Sequence, residues 1–183
     1  MKRLIFITGG CGSGKSAFAQ RLAEKLAGPK VYLATAPCLD DEMARRIARH
    51  QADRAATGWR TVEETLDIAG ALQRLDAGET VLVDCLTLWI NNLLFEEAKT
   101  QIKITEEMIA GISREIVAAG KSRPGTTIFV ANEVGLGIVP DNELARRFRD
   151  LAGRCNQTIA AAADTAVFMV SGLPMMLKGE VIP

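Results

Sequence analysis

Residues 9–16 read GGCGSGKS, and this spacing, G-x-x-x-x-G-K-S, decides the fold. The octet follows the apolar run LIFIT (4–8) and precedes SAFAQRLAEKL (16–26), where Phe18, Leu22 and Leu26 recur at helical spacing before Gly28 and Pro29 stop the helix. A glycine-rich turn between a strand and a helix is the context of a phosphate-binding P-loop. Glycines let successive backbone N–H groups turn toward phosphate oxygens, and the helix N-terminus adds a positive dipole end. The expected ligand is a nucleoside triphosphate, ATP or GTP, cradled by Gly9, Gly10, Cys11, Gly12, Ser13, Gly14, Lys15 and Ser16. Lys15 is expected to reach the β- and γ-phosphates, and the Ser16 hydroxyl to bind Mg²⁺.

Working outward, short β-rich runs alternate with amphipathic stretches: RLIFIT, KVYLATA, TVLVDC, TTIFVAN and TAVFMVS, the last read as the final strand. Apolar strands separated by helices predict a mainly parallel sheet with helices on both faces, an α/β fold of the P-loop NTPase type. A long helix is expected from about Asp141 to Ala163. In TVEETLDIAGALQRL, Thr61 and Glu64 have the spacing of a capping box ahead of Leu66, Ala69 and Leu72. The apolar patch LTLWINNLLF (86–95) reads as a buried helix, a subunit contact or a wall against a bulky substrate. No repeat, linker or low-complexity tract interrupts the 183 residues, so one domain over 1–183 is expected.

Composition narrows the function. Lys plus Arg and Asp plus Glu are both 22, which argues against nucleic acid or anionic membrane as a partner. Cys11, Cys38, Cys85 and Cys155 are scattered without a C-x-x-C pair, so neither a zinc site nor a thioredoxin-like motif is expected, and free thiols fit a reducing, cytoplasmic setting. The N-terminal apolar run is too short for a signal peptide, and no segment approaches the roughly 20 apolar residues of a membrane span.

P-loop proteins commonly carry an acid at the end of a neighbouring strand to hold the metal directly or through water. Asp84, closing TVLVDC, occupies such a position, with capping of the next helix as its alternative role. Glu133 lies at another strand end, on the edge where open α/β sheets bind ligands. A GTPase switch is disfavoured: no N-K-x-D occurs, and DLAG (150–153) falls inside a helical pattern. From residue patterns alone, a kinase of a small alcohol and a nucleotide-sensing module both remain open.

GGCGSGKS, YLATAPCLDDEMARRIARHQADR, GWRTVEE, VLVDCLTLWINNLLF and NEVGLGIVPDNELARRFRDLAGRCNQTIAAAAD, in that order, closely resemble the bifunctional adenosylcobinamide kinase / adenosylcobinamide-phosphate guanylyltransferase family of cobalamin synthesis. The resemblance spans nearly the whole chain. It implies phosphorylation of adenosylcobinamide by a nucleoside triphosphate, then transfer of GMP from GTP to adenosylcobinamide phosphate through a guanylyl-histidine, for which His50 is the matching position. It further implies nucleotide contacts at Ala34, Thr35, Ala36, Gln51, Ala52, Asp53, Arg54, Glu63 and Asp84, and a homo-oligomer, specifically a trimer. Two departures stand out. The arginine usual before the loop serine is Gly12 here, and where the family often has two adjacent histidines the first is Arg49.

His50 is the sole histidine of the sequence, with Arg46 and Arg54 four residues to either side. On a helix these share its face, and each cation at about 6 Å adds about 0.7 kcal/mol to the cost of protonating the imidazole even in water-like dielectric. The neutral, nucleophilic form is thereby favoured among charges that suit phosphates. The competing reading is a solvated helix face with Met43, Ile47 and Ala48 turned inward. Arg146, Arg147, Arg149 and Arg154 pose the same choice, between phosphate binding and an ordinary salt-laced surface helix.

Overall fold

The computed structural model describes residues 2–37 and 57–180. Alternation along strand β1 (Lys2–Gly9) sets the layers: Leu4 and Phe6 belong to one core, Ile5 and Ile7 to the other. The same alternation runs through β2 (Lys30–Ala34) and β4 (Thr80–Asp84), where Val31, Leu33, Val81 and Val83 join the first core and Leu82 the second. The strands are therefore apolar on both faces, as a covered parallel sheet requires.

With β3 (Trp59–Glu63), β5 (Gly125–Asn132), β6 (Thr165–Val170) and β7 (Leu173–Lys178), they form a seven-stranded sheet ordered β3-β2-β4-β5-β1-β6-β7, parallel except for the β6–β7 pair. Helix α1 (Lys15–Lys25) packs Ala19, Leu22 and Ala23 into the second core. The opposite face is covered by α2 (Ile68–Gln73), α3 (Leu86–Thr100), α4 (Glu106–Ser122) and α5 (Glu143–Ala162), with Trp89, Ile116 and Ile159 fully buried among them. The expected α/β architecture, with helices on both faces, is the one observed.

Two local expectations fail. Thr61 lies within β3, so no capping box forms there; Asp67 caps α2, its Oδ1 accepting from the Gly70 N–H at 2.8 Å. Glu64 instead accepts the N–H groups of Leu66 and Asp67, both at 2.9 Å. The strand at 165–171 is not the last, because β7 returns antiparallel through the Ser171–Gly172 turn.

The patch 86–95 is helical and mixed: Leu86, Trp89 and Ile90 are buried, whereas Phe95 is 53% exposed. Most of the arginines in question serve the fold. Arg147 pairs bidentately with Glu97 at 2.9 Å for both contacts, Arg154 reaches Glu106 at 3.3 Å, and Arg146 donates to the carbonyls of Pro140 and Asp141. Hydrogen bonds from Arg147, then from the Ile104 N–H, hold the Glu97 carboxyl below its usual range. A depressed carboxylate stabilises the fold above the unfolded value of 4.5 and loses that contribution as pH falls through the lower folded value. Glu97→Gln is therefore expected to lower the melting temperature at pH 7, with the deficit against wild type shrinking in acid; thermal melts across pH check this.

Candidate active site

β1 ends in a loop whose conformation only glycine tolerates at two points. Gly9 has φ +153°, and a Cβ there would stand 2.5 Å from the Met169 carbonyl oxygen; Gly14 has φ +87° and closes the loop as the N-cap of α1. Having no side chain, Gly14 offers no cap, and the first turn of α1 contains no acidic residue. In contrast, α2, α3, α4 and α5 are each capped by a side chain, from Asp67, Cys85, Thr105 and Asn142. The first N–H groups of α1 are thus left for an outside acceptor.

Lys15 is 8% exposed, and its Nζ donates to the Gly10 carbonyl oxygen at 3.1 Å. Among the described residues no carboxylate pairs with it. A buried ammonium facing only a carbonyl is costly until an anion joins it. Beside it the Ser13 hydroxyl is buried without a hydrogen-bond partner, a donor suited to a phosphate oxygen. Ser16 follows on α1, half-buried.

The loop is braced from both sides. The Glu133 N–H donates to the Gly9 carbonyl at 2.9 Å, and the Gly172 N–H to the Ser13 carbonyl at 3.0 Å. It is the glycine at 14 that allows this approach, since a Cβ there would lie 3.3 Å from the Gly172 Cα. The Glu133 carboxylate accepts the Gly135 N–H at 2.6 Å, so Glu133 stands beside the P-loop while organising its own turn.

Asp84 ends β4 on the same carboxyl edge, but not on the strand next to β1 as the sequence led us to expect. β5 intervenes, and Asp84 is in register with Val130, itself in register with Ile7. Two strand spacings put it roughly 10 Å from β1 at the backbone. Its Oδ2 accepts the Tyr32 hydroxyl at 2.9 Å. The cap of α3 is Cys85, whose Sγ accepts the Leu88 N–H at 3.5 Å, so Asp84 does not serve as that cap. Burial, then the neighbouring Asp84, pushes the Cys85 thiol up to about 11, which keeps it protonated at neutral pH and unfit as a nucleophile.

Ala34 and Glu63 are in register at the ends of β2 and β3, and Ala34 also pairs with Asp84. Thr35 is fully buried, and its hydroxyl both accepts from the Cys85 N–H and donates to the Cys85 carbonyl, each at 2.8 Å. The hydroxyl's one proton is spent on that carbonyl and the side chain is closed off by burial, so any nucleotide contact made by 34–36 falls to backbone groups or to Ala34 and Ala36. Gly9 to Ser16, Ala34 to Ala36, Glu63 and Asp84 therefore share one edge. His50, Gln51, Ala52, Asp53 and Arg54 lie outside the described residues. Sequence reasoning missed Tyr32 and the Ser171–Gly172 turn; the S-G dipeptide was a readable turn signal, whereas nothing marked Tyr32.

The family model described as "Cobinamide kinase / cobinamide phosphate guanyltransferase" matches residues 5–177. A protein of Pseudomonas aeruginosa named bifunctional adenosylcobalamin biosynthesis protein CobP is 46% identical over 175 residues, covering 95% of this chain and 96% of that one. Proteins named bifunctional adenosylcobalamin biosynthesis protein CobU, from Salmonella typhimurium and Escherichia coli, are 42% and 40% identical, each alignment covering 96% of this chain and 99% of the relative.

Proposed function

The chain belongs to the cobinamide kinase / cobinamide phosphate guanyltransferase family, and from that premise we propose that both reactions are run from the carboxyl edge described above, with His50 as the nucleophile of the second. The protein is a bifunctional transferase of cobalamin biosynthesis that uses ATP or GTP for the first reaction and GTP for the second. The observation that carries the site assignment is the buried ammonium of Lys15, without a carboxylate partner among the described residues, beside an uncapped helix start.

In the kinase step the cobinamide hydroxyl oxygen attacks the γ-phosphorus, the bond to the β-bridging oxygen breaks, and the hydroxyl proton is released. Lys15 and the loop N–H groups stabilise charge on the oxygens as that bond loosens. In the second reaction the neutral His50 imidazole attacks the α-phosphorus of GTP and pyrophosphate leaves. A phosphate oxygen of cobinamide phosphate then attacks the phosphorus of the guanylyl-histidine, the P–N bond breaks, and His50 is restored as cobinamide-GDP departs.

A magnesium ion fits the donor set here. The Tyr32 hydrogen bond occupies one oxygen of Asp84, so among the described residues the other oxygen and the Ser16 hydroxyl would hold the ion, directly or through water. Among the described residues no cluster of three His, Cys, Asp or Glu could hold a metal without the nucleotide. The ion would neutralise charge on the bridging phosphate oxygens. Asp84→Asn is expected to weaken magnesium-dependent turnover about tenfold or more while stability stays within about 1 kcal/mol, because a charge is lost and no core volume changes. A magnesium titration beside a thermal melt reads both; an unchanged titration removes Asp84 from metal binding.

A homo-oligomer, specifically a trimer, is part of this proposal, and light scattering after gel filtration measures it. Cys11, Cys85 and Cys155 are free thiols, in keeping with a reducing cytoplasm. Among the described residues no helix is long and apolar enough to cross a membrane.

A further inference from the structure

We propose that Asn92, on α3, is a positioning residue for guanylyl transfer: its carboxamide ties the backbone just beyond β2 to the backbone just beyond β3, next to the proposed GTP contacts, while the P-loop is held independently. Asn92 is 6% exposed, and its Nδ2 donates to the Thr35 carbonyl at 2.8 Å and to the Thr65 carbonyl at 3.0 Å. Both partners are carbonyl oxygens, which fixes the amide orientation with nitrogen toward them. Thr35 is the first residue beyond β2, and His50 falls in the sequence between it and Trp59, the first residue of β3. Thr65 lies two residues beyond Glu63, the last residue of β3. One amide therefore joins the start of the His50 segment to the loop after Glu63 and fastens both to α3.

The neighbouring contacts point the same way. Trp89, one turn earlier on α3, donates its Nε1–H to the Leu66 carbonyl at 2.9 Å, and the Thr35 hydroxyl is clamped to Cys85 beside Asp84. None of these bonds involves the P-loop, which is braced by the Glu133 and Gly172 N–H groups. The site thus has two separate supports, one for triphosphate and one for the β2 and β3 ends. Asparagine suits its place because one nitrogen supplies two donors on a short stem; aspartate would set an acceptor against two carbonyls, and an aliphatic side chain would leave both unpartnered.

Because residues 34–36 and 63 are proposed GTP contacts, the inference rests on the guanylyl-transfer reading above. The test compares wild type with Asn92→Ala, Asn92→Asp and, as a control for lost stability alone, Leu72→Ala, whose side chain is fully buried in the same core. Each folded protein is assayed for protein-bound label from α-labelled GTP and, separately, for phosphorylation of cobinamide by ATP. Loosening of the loops by a fraction of an ångström to an ångström predicts about a tenfold or greater loss of guanylylation rate, with a raised KM for GTP, against a loss of about threefold or less in the kinase turnover. Leu72→Ala should lower the melting temperature and leave the ratio of the two activities at the wild-type value. Should Asn92→Ala fail to fold, Asn92→Ser, which keeps one donor, is read by the same ratio. The inference is overturned if the Asn92 variants lose both activities in parallel, as Leu72→Ala would, or lose neither. Wild type that takes up no label refutes the guanylyl-histidine reading itself; labelled wild type with unchanged ratios in the variants refutes the role of Asn92 alone.

Discussion

Replacing Lys15 with alanine is expected to abolish both transfers while the fold survives. The ammonium is buried at the junction of β1 and α1, with the Gly10 carbonyl as its partner and no carboxylate beside it among the described residues. Each reaction develops negative charge on phosphate oxygens, and a pre-positioned cation in a dry site is worth far more there than in water. Loss of one such donor typically costs a factor of about 10² to 10³, or roughly 3–4 kcal/mol of barrier, and a charged donor sits at the upper end. Stability should change little. Alanine has the best helix propensity, the lost hydrogen bond is worth about 1 kcal/mol, and removing a buried unpaired charge offsets it. Kinase and guanylyl-transfer assays run beside a thermal melt decide the matter. Near-wild-type turnover in both assays would show that the loop does not bind the reacting phosphates.

Replacing His50 with alanine or asparagine is expected to separate the two activities. Guanylyl transfer should disappear, because the sequence contains no second imidazole and the Cys85 thiol near the site is held protonated by burial. The kinase step should persist at a substantial fraction of wild type, since direct attack of a hydroxyl on the γ-phosphorus needs positioning, Lys15 and charge neutralisation but no protein nucleophile. The pH dependence has a definite sign: guanylylation of wild type should slow in acid as the imidazole takes up a proton and loses its lone pair. Label from α-labelled GTP on the His50→Ala protein would contradict the assignment. Loss of both activities with a lowered melting temperature would instead give His50 a role in stability alone.

The fold was legible because its signals are local and repeated. GGCGSGKS between an apolar strand and a helix named the P-loop, and runs such as TVLVDC and TTIFVAN, apolar without alternation, could only be strands covered on both faces. What misled was chemistry with two readings. Thr61 and Glu64 have capping-box spacing, yet Trp59–Glu63 pairs in register with β2, and tertiary pairing overrode the local signal. The strand LPMMLK went unread because Pro174 and an outward row of Leu173, Met175 and Leu177, 71%, 54% and 58% exposed, do not look like a buried strand; β7 is an edge strand, where both are tolerated.

Within the site, residues that meet through the chain's own backbone were easy to find, as with Gly9 to Ser16. Partners distant in sequence were not. Tyr32 on Asp84 spans 52 residues, and Asn92 on Thr35 spans 57. Hydrogen bonds of that kind follow from strand order, β2 beside β4, and strand order is not written in any local pattern. Thr35 illustrates the difference between position and role: the family resemblance implied a nucleotide contact there, and the structure shows its hydroxyl buried and bonded to the Cys85 backbone.

The central claim, that one chain joins a P-loop to a covalent histidine carrier, is tested most directly on the wild-type protein. Purified enzyme is incubated with Mg²⁺ and α-labelled GTP, digested, and the labelled peptide sequenced. The account predicts label in the peptide containing His50, released by acid and retained in mild base as a phosphoramidate requires, and discharged when cobinamide phosphate is added. Guanylyl transfer proceeding without labelled protein, or label held by another residue or lost in base, would contradict it.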